Sequence, residues 1–377
     1  MSDPVRQPTA PAPTASTSEF VITFAVILVL IIVLLAADTS LARVDRRESS
    51  AHAASLYEEG RALLASGRPH PAVDRFVAAF ANERTNIRYQ IALGEALLGD
   101  GRLEEAETTL NAVLARAQTD GAANIAMARV LTRAKRMDDA KSFYHRAIYG
   151  HWGPDSAHAR IASRLELIDV LVAQGAKREL LAELLPLEEA MPDSLVLRKR
   201  IGHLFVVAGS PARAVSIFRE LLHQNPADGD AYSGMGEAAL ALGNYRTARA
   251  DFLEASRLFP QDTAIATRLA LADTILAINP LERGLSAHER FVRAHDILAR
   301  TLAQASSCTA TSGTSAERAA SARRTLATVV RRQHEETATE PLLALVSELS
   351  VNLTAPCSNA HSVSGEALLL IQAHLTQ

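Results

Sequence analysis

Gly202, Ala214, Phe218 and Pro226 recur 34 residues later as Gly236, Ala248, Phe252 and Pro260. A fixed period of this length constrains the fold more tightly than any other feature of the chain. It demands a supersecondary unit that cannot bury its own faces and gains a core only by stacking on its neighbours. The register extends backwards to residues 161–194, through Leu167, Leu171, Leu180, Leu184 and Pro192, with Ile168 at the small-residue position. The triplet is therefore 161–194, 195–228 and 229–262. Upstream, 53–86, 87–120 and 121–154 share a phase of their own: Gly60, Gly94, Ala128; then Ala72, Ala106, Ala140; then Phe76, Leu110, Tyr144. Between the triplets the phase slips by six residues at Asp155 to Arg160, just after Gly150-His-Trp-Gly-Pro154, and a longer loop is expected there.

The residue types fit paired helices. A Gly or Ala on the first helix and an Ala early on the second let two helices approach closely, and the aromatic fills the space between them. Gly67, Gly101, Gly175, Gly209 and Gly243 recur where a first helix would end with positive φ, and Lys135 takes that place in the third unit. Only 5% of the residues are aromatic while Ala and Leu are abundant, which favours helices over strands. With Tyr232, Met235, Gly236, Ala248, Phe252, Ala255 and Pro260 in matching places, and Ala239 where Tyr is usual, the chain resembles the tetratricopeptide repeat (TPR) family. The resemblance implies an all-α solenoid of helix–turn–helix units, a right-handed superhelix whose first helices line a concave groove.

Gly234, Gly236 and Ala239 also spell G-x-G-x-x-A, a dinucleotide-binding fingerprint. That motif needs a strand before it and an acidic residue about 20 positions on at the end of a second strand. Asn225 to Asp230 is instead a turn, and Met235, Ala239 and Leu242 keep helical spacing. Gly236 is a packing position of the repeat, with Gly234 outside the recurring positions.

The N-terminus has a different character. Residues 1–19 carry four prolines and many small polar residues, the composition of a disordered tail. Phe20 to Ala37 then runs apolar with Thr23 as its one polar side chain, about 27 Å of helix against a hydrocarbon core of roughly 30 Å. A signal peptide would have a shorter apolar region behind a basic leader, whereas here only Arg6 precedes it. A single transmembrane helix over 20–37 and a juxtamembrane linker over 38–52 are expected. Arg43, Arg46 and Arg47 follow the span, which by the positive-inside rule puts the bulk of the chain in the cytoplasm.

Beyond 262 the repeat fades. Ala264 to Ala277 reads as a further first helix, and Ser286-Ala-His-Glu289 as a capping box opening a second, so 263–305 is read as a capping pair and 306–377 as a helical appendage. Helices are expected near 317–332, 340–351 and 366–375. Cys308 and Cys357 are either unpaired thiols or a disulfide, which would close 357 − 308 = 49 residues and stabilise the tail by roughly 4 kcal/mol. A disulfide needs an oxidising compartment, against the arginine argument. N-terminally anchored bacterial proteins of the resembled family often face outward, which leans the reading slightly toward a periplasmic domain. Asn352-Leu-Thr354 matches a glycosylation sequon, relevant only in a eukaryotic secretory setting.

No G-x-S-x-G, H-E-x-x-H, Walker loop or C-x-x-C occurs, and His145, His151 and His158 straddle a turn without a cysteine partner, so neither enzyme chemistry, a cofactor, a metal nor a small-molecule substrate is expected. The 39 basic and 42 acidic residues leave a formal charge of −3, poorly suited to neutralising phosphates, and an RNA-binding helical array is the alternative function. The resemblance points to protein partners in the groove of a membrane-tethered scaffold, with a role in envelope or complex biogenesis as one setting. One residue after each packing position stand Arg61, Glu95, Arg129, Asp169, His203 and Glu237, with Tyr57, Ile91, Ile125 and Leu165 one turn earlier. This charged row either receives a partner peptide or helix, or neutralises itself as a ladder of weak ion pairs. Where family members place Lys and Asn to clamp a chaperone's terminal carboxylate, this chain has Tyr57, Arg61, Ala92, Ala122 and Ala126, which argues against that partner.

Overall fold

In the computed structural model the described residues are 17–154, 156–189, 194–307, 313–329, 335–351 and 362–376, and among them there are 17 helices and no strand. Residues 1–16 of the expected tail, the sequon and both cysteines lie outside these residues. The chain divides into two compact units, up to Arg164 and from Leu165 onward.

In the first unit α1 (Thr17–Ala65) is one uninterrupted helix of 49 residues. Its apolar stretch is exposed from Phe24 to Leu35, residues 38–52 continue it as helix, and Ala53, Leu56 and Gly60 are buried where it meets α2 (Pro69–Asn82). It is the one helix among the described residues long and apolar enough to cross a membrane. Two antiparallel pairs follow, α3 (Ile87–Gly99) with α4 (Leu103–Leu114) and α5 (Gly121–Arg133) with α6 (Met137–Ile148).

The phase slip is not a longer loop. Helix α7 (Ser156–Gln174) runs 19 residues where α5 has 13, and residues 156–160 of the slip are helical. Ser156 to Arg160 contain no glycine or proline to stop them. The turn before it is pinned: the Trp152 indole lies over Gly121, donates its Nε1–H to the Ala147 carbonyl at 2.7 Å, and Gly121 N–H donates to the His151 carbonyl at 2.8 Å.

The second unit holds α8 (Lys177–Glu189), α9 (Leu195–Val207), α10 (Pro211–Gln224), α11 (Gly229–Ala241), α12 (Tyr245–Leu258) and α13 (Thr263–Ile278). Then come α14 (Ala287–Ser307), α15 (Gly313–Val329), α16 (Glu335–Val351) and α17 (Val363–Leu375). Ser286 and Glu289 form the reciprocal cap, Ser286 N–H to Glu289 Oε2 at 2.8 Å and Glu289 N–H to Ser286 Oγ at 3.2 Å. Helix α14 packs mainly on α16, while α13 rests on α12 and on the C-terminal helix α17. Buried Gln372 ties α17 to α14 by donating to Thr301 at 2.9 Å and Gln304 at 3.2 Å.

The repeating glycines do what close packing requires. A Cβ at Gly60 would stand 2.7 Å from the Phe76 ring, at Gly94 2.7 Å from Leu110, and at Gly236 2.7 Å from Phe252. Gly234 has the same duty toward the preceding unit, since a Cβ there would lie 2.2 Å from the Phe218 ring. Both glycines of the nucleotide-like motif therefore sit against phenylalanine rings inside α11.

The turns are periodic too. Lys135 has φ 63°, the conformation its glycine counterparts adopt at Gly101 (φ 80°) and Gly243 (φ 72°). A side chain strains that backbone by about 1 kcal/mol. Lys135→Gly is expected to raise stability by up to about that amount in a denaturant titration; unchanged or reduced stability would contradict it.

Candidate functional site

The charged row lies on the first helices of the pairs, and Glu95, Arg129, Asp169 and Glu237 meet partners on a neighbouring first helix. In the first unit Glu95 on α3 pairs with Arg129 on α5 at 2.9 Å, each side chain a little over a third exposed. Arg61 turns within its own helix to Glu58 at 3.3 Å. Tyr57 stacks between Phe76 and Tyr89, with ring centroids at 5.7 and 5.1 Å, and the Arg61 and Arg88 guanidinium groups lie 5.9 and 5.8 Å from its ring centroid. The other apolar members need correction as contact residues: Ile91 is 7% and Ile125 5% exposed, so neither offers surface to a partner.

In the second unit Asp169 pairs with Arg200, and Glu237 with Arg268 at 2.7 Å. Arg268 reaches further, to Glu366 on α17 at 2.6 Å. Burial pushes the Glu237 carboxyl above its ordinary value, while Arg268 pulls it back. His203 sets its ring edge against Phe218 with centroids 5.0 Å apart, and burial lowers its pKa, which favours the neutral imidazole. Leu165 is half-buried. Within each unit, then, acids of the row pair with arginines on an adjacent first helix, Glu95 with Arg129 in the first and Asp169 and Glu237 with Arg200 and Arg268 in the second, each pair worth under about 1 kcal/mol while exposed.

Arg200 and Arg268 escaped the sequence reading, although each stands 31 residues after its acid, one turn before the equivalent place on the next first helix. A second missed signal is the N-cap series. Asn86, Asp120, Ser194, Asp228 and Asp262 each accept a backbone N–H at the start of a first helix, in steps of 34 residues within each phase.

Beside Arg129 the surface opens into a recess of about 520 Å³ lined by Arg133, Lys135 and Tyr144. Among the described residues no three His, Cys, Asp or Glu side chains gather at metal-binding distance.

Comparison with known proteins places tetratricopeptide repeats at residues 63–130 and again at 199–272. The chain contains such repeats in both units. No curated protein matches its sequence. Among solved structures, it is similar to YrrB, described as a TPR protein with an unusual peptide-binding site, at 20% identity and TM-score 0.39, covering 51% of this chain and 95% of YrrB. It is also similar to the C-terminal part of a TPR repeat-containing protein from Cytophaga hutchinsonii, at 12% identity and TM-score 0.45, covering 64% of this chain and 94% of that one. A third is the TPR2AB domain of yeast Sti1 in complex with an Hsp90 peptide, at 16% identity and TM-score 0.29, covering 67% and 94%.

Proposed function

From a chain that carries tetratricopeptide repeats behind one long apolar helix, we propose a membrane-tethered interaction module that holds partner proteins at the bilayer. The observation that carries this reading is the continuity of α1, whose apolar stretch and first repeat helix are one rod. Residues 38–52 act as a stalk of about 22 Å between the span and the repeats. The partner engages the charged row by exchanging its internal ion pairs for pairs with an extended peptide or helix, an acidic side chain entering the recess at Arg129, Arg133 and Lys135. Tyr57, Arg61, Glu95, Asp169, His203 and Glu237 supply the accessible remainder.

Reversing the charges of Arg129 and Asp169 together is expected to leave the fold intact, each change costing under about 1 kcal/mol, and to abolish partner capture from solubilised membranes. Full capture by a folded variant would remove the row from binding. Protease protection of residues 53–377 in oriented vesicles, with thiol labelling of Cys308 and Cys357, tests the tether and its side. An exported domain with blocked thiols supports a periplasmic scaffold stapled by a disulfide. A cytoplasmic domain with free thiols supports the sidedness argued from Arg43, Arg46 and Arg47, and release from washed membranes would refute the tether.

A further inference from the structure

A second opening in the first unit lies away from the charged row, on second helices and the turn that follows them. It is an open recess of about 730 Å³ between the end of α4, the following loop and the end of α6, and none of its lining residues is acidic. Arg146 forms part of its wall with its guanidinium 4.7 Å from the Phe143 ring centroid, and no carboxylate pairs with it among the described residues. Tyr149 stands beside it, 71% exposed, with the Arg164 guanidinium 5.8 Å from its ring centroid. Asn111 and Gln118 also line it.

An exposed tyrosine of this kind is the large solvent-facing aromatic that interfaces are enriched in, and Arg and Tyr are the residues that most often dominate binding energy. A guanidinium held over an aromatic ring can recognise a carboxylate with two N–H groups and loses little freedom on binding one. We propose that this recess binds an acidic peptide segment of a partner protein. The carboxylate of an Asp or Glu meets Arg146 and the amides, and a neighbouring apolar side chain lies against Phe143 and Tyr149. A nucleic acid would also stack on these rings, but it needs a run of cations along its backbone, whereas this recess is lined by one. The site is separate from the charged row, lying on second helices and the turn after them, so the module has two binding surfaces.

Trp152, the only tryptophan in the chain, is three residues from Tyr149 and reports binding by its fluorescence. The full chain in detergent is titrated with a blocked hexapeptide of alternating Glu and Leu, with its Gln/Leu counterpart, and with a single-stranded hexanucleotide. A saturable change is expected with the Glu/Leu peptide, weakened about tenfold or more in the Gln/Leu peptide and in Arg146→Ala, and severalfold in Tyr149→Ala. Circular dichroism checks that both variants keep their helix content. No saturation, equal binding of the two peptides, unaltered affinity in folded Arg146→Ala, or tighter binding of the oligonucleotide would each overturn the proposal.

Discussion

Replacing Phe218 by alanine is expected to lower stability by about 3–5 kcal/mol, the cost of emptying a large buried aromatic site that cannot collapse. The ring is fully buried and occupies a slot between Gly202 on α9 and Gly234 on α11, where added Cβ atoms would come within 2.6 and 2.2 Å of it. Those helices are held apart by their remaining contacts, so the slot stays open when the ring is removed. In a repeat array each unit stabilises only its neighbours. The loss therefore shows in native-state hydrogen exchange as reduced protection in α9 to α12, with α3 to α6 unchanged. A uniform loss along the chain, or one below about 1 kcal/mol, would contradict this account.

The second large effect comes from removing a charge. Asp251 on α12 has a carboxylate oxygen that is buried and without a hydrogen-bond partner, and nearby Arg249 is engaged with Asp273 instead. Burial pushes this carboxyl from its ordinary value of 3.8 up to about 6. The folded protein therefore holds the proton more tightly than the unfolded chain. Stability from the protonated form is complete below pH 3.8 and is lost as pH rises through about 6. For a fully buried group the displacement would correspond to about 3 kcal/mol; solvent reaching this one reduces it to about 1–2 kcal/mol. Asp251→Asn is expected to stabilise by that amount at pH 7.5 and by nothing at about pH 3, below the unfolded value, measured by paired denaturant titrations. A gain of equal size at both values would assign the effect to packing rather than charge.

The repeat pairs were legible in the sequence because close packing dictates residue type. Gly94 facing Leu110 and Gly236 facing Phe252 leave a period that no other arrangement explains. Lys135 illustrates how strong the register is: the backbone keeps its left-handed turn there without a glycine. The phase slip was misread as a loop because a change of register looks the same whether the added residues are coiled or helical. Residues 156–160 are all compatible with helix, and that was the available signal. Burial of Ile91 and Ile125 was hidden because α3 and α5 are buried at consecutive positions, Tyr89 to Gly94 and Ala123 to Ala128, so no spacing within one helix marks a free face there. The packing of α17 on α13, with Glu366 bridged to Arg268 across 98 residues, leaves no local pattern at all.

The unbroken course of α1 has a mechanical meaning. A span joined to its domain by a flexible linker can tilt without moving the domain, whereas a rod transmits every tilt. With α1 across a bilayer, a change of about 20° in the span swings the start of the repeats by about 8 Å over a 22 Å stalk. On the proposed tether, a thinner or thicker bilayer would become a sideways displacement of whatever the repeats hold, and the same helix would serve as anchor and lever.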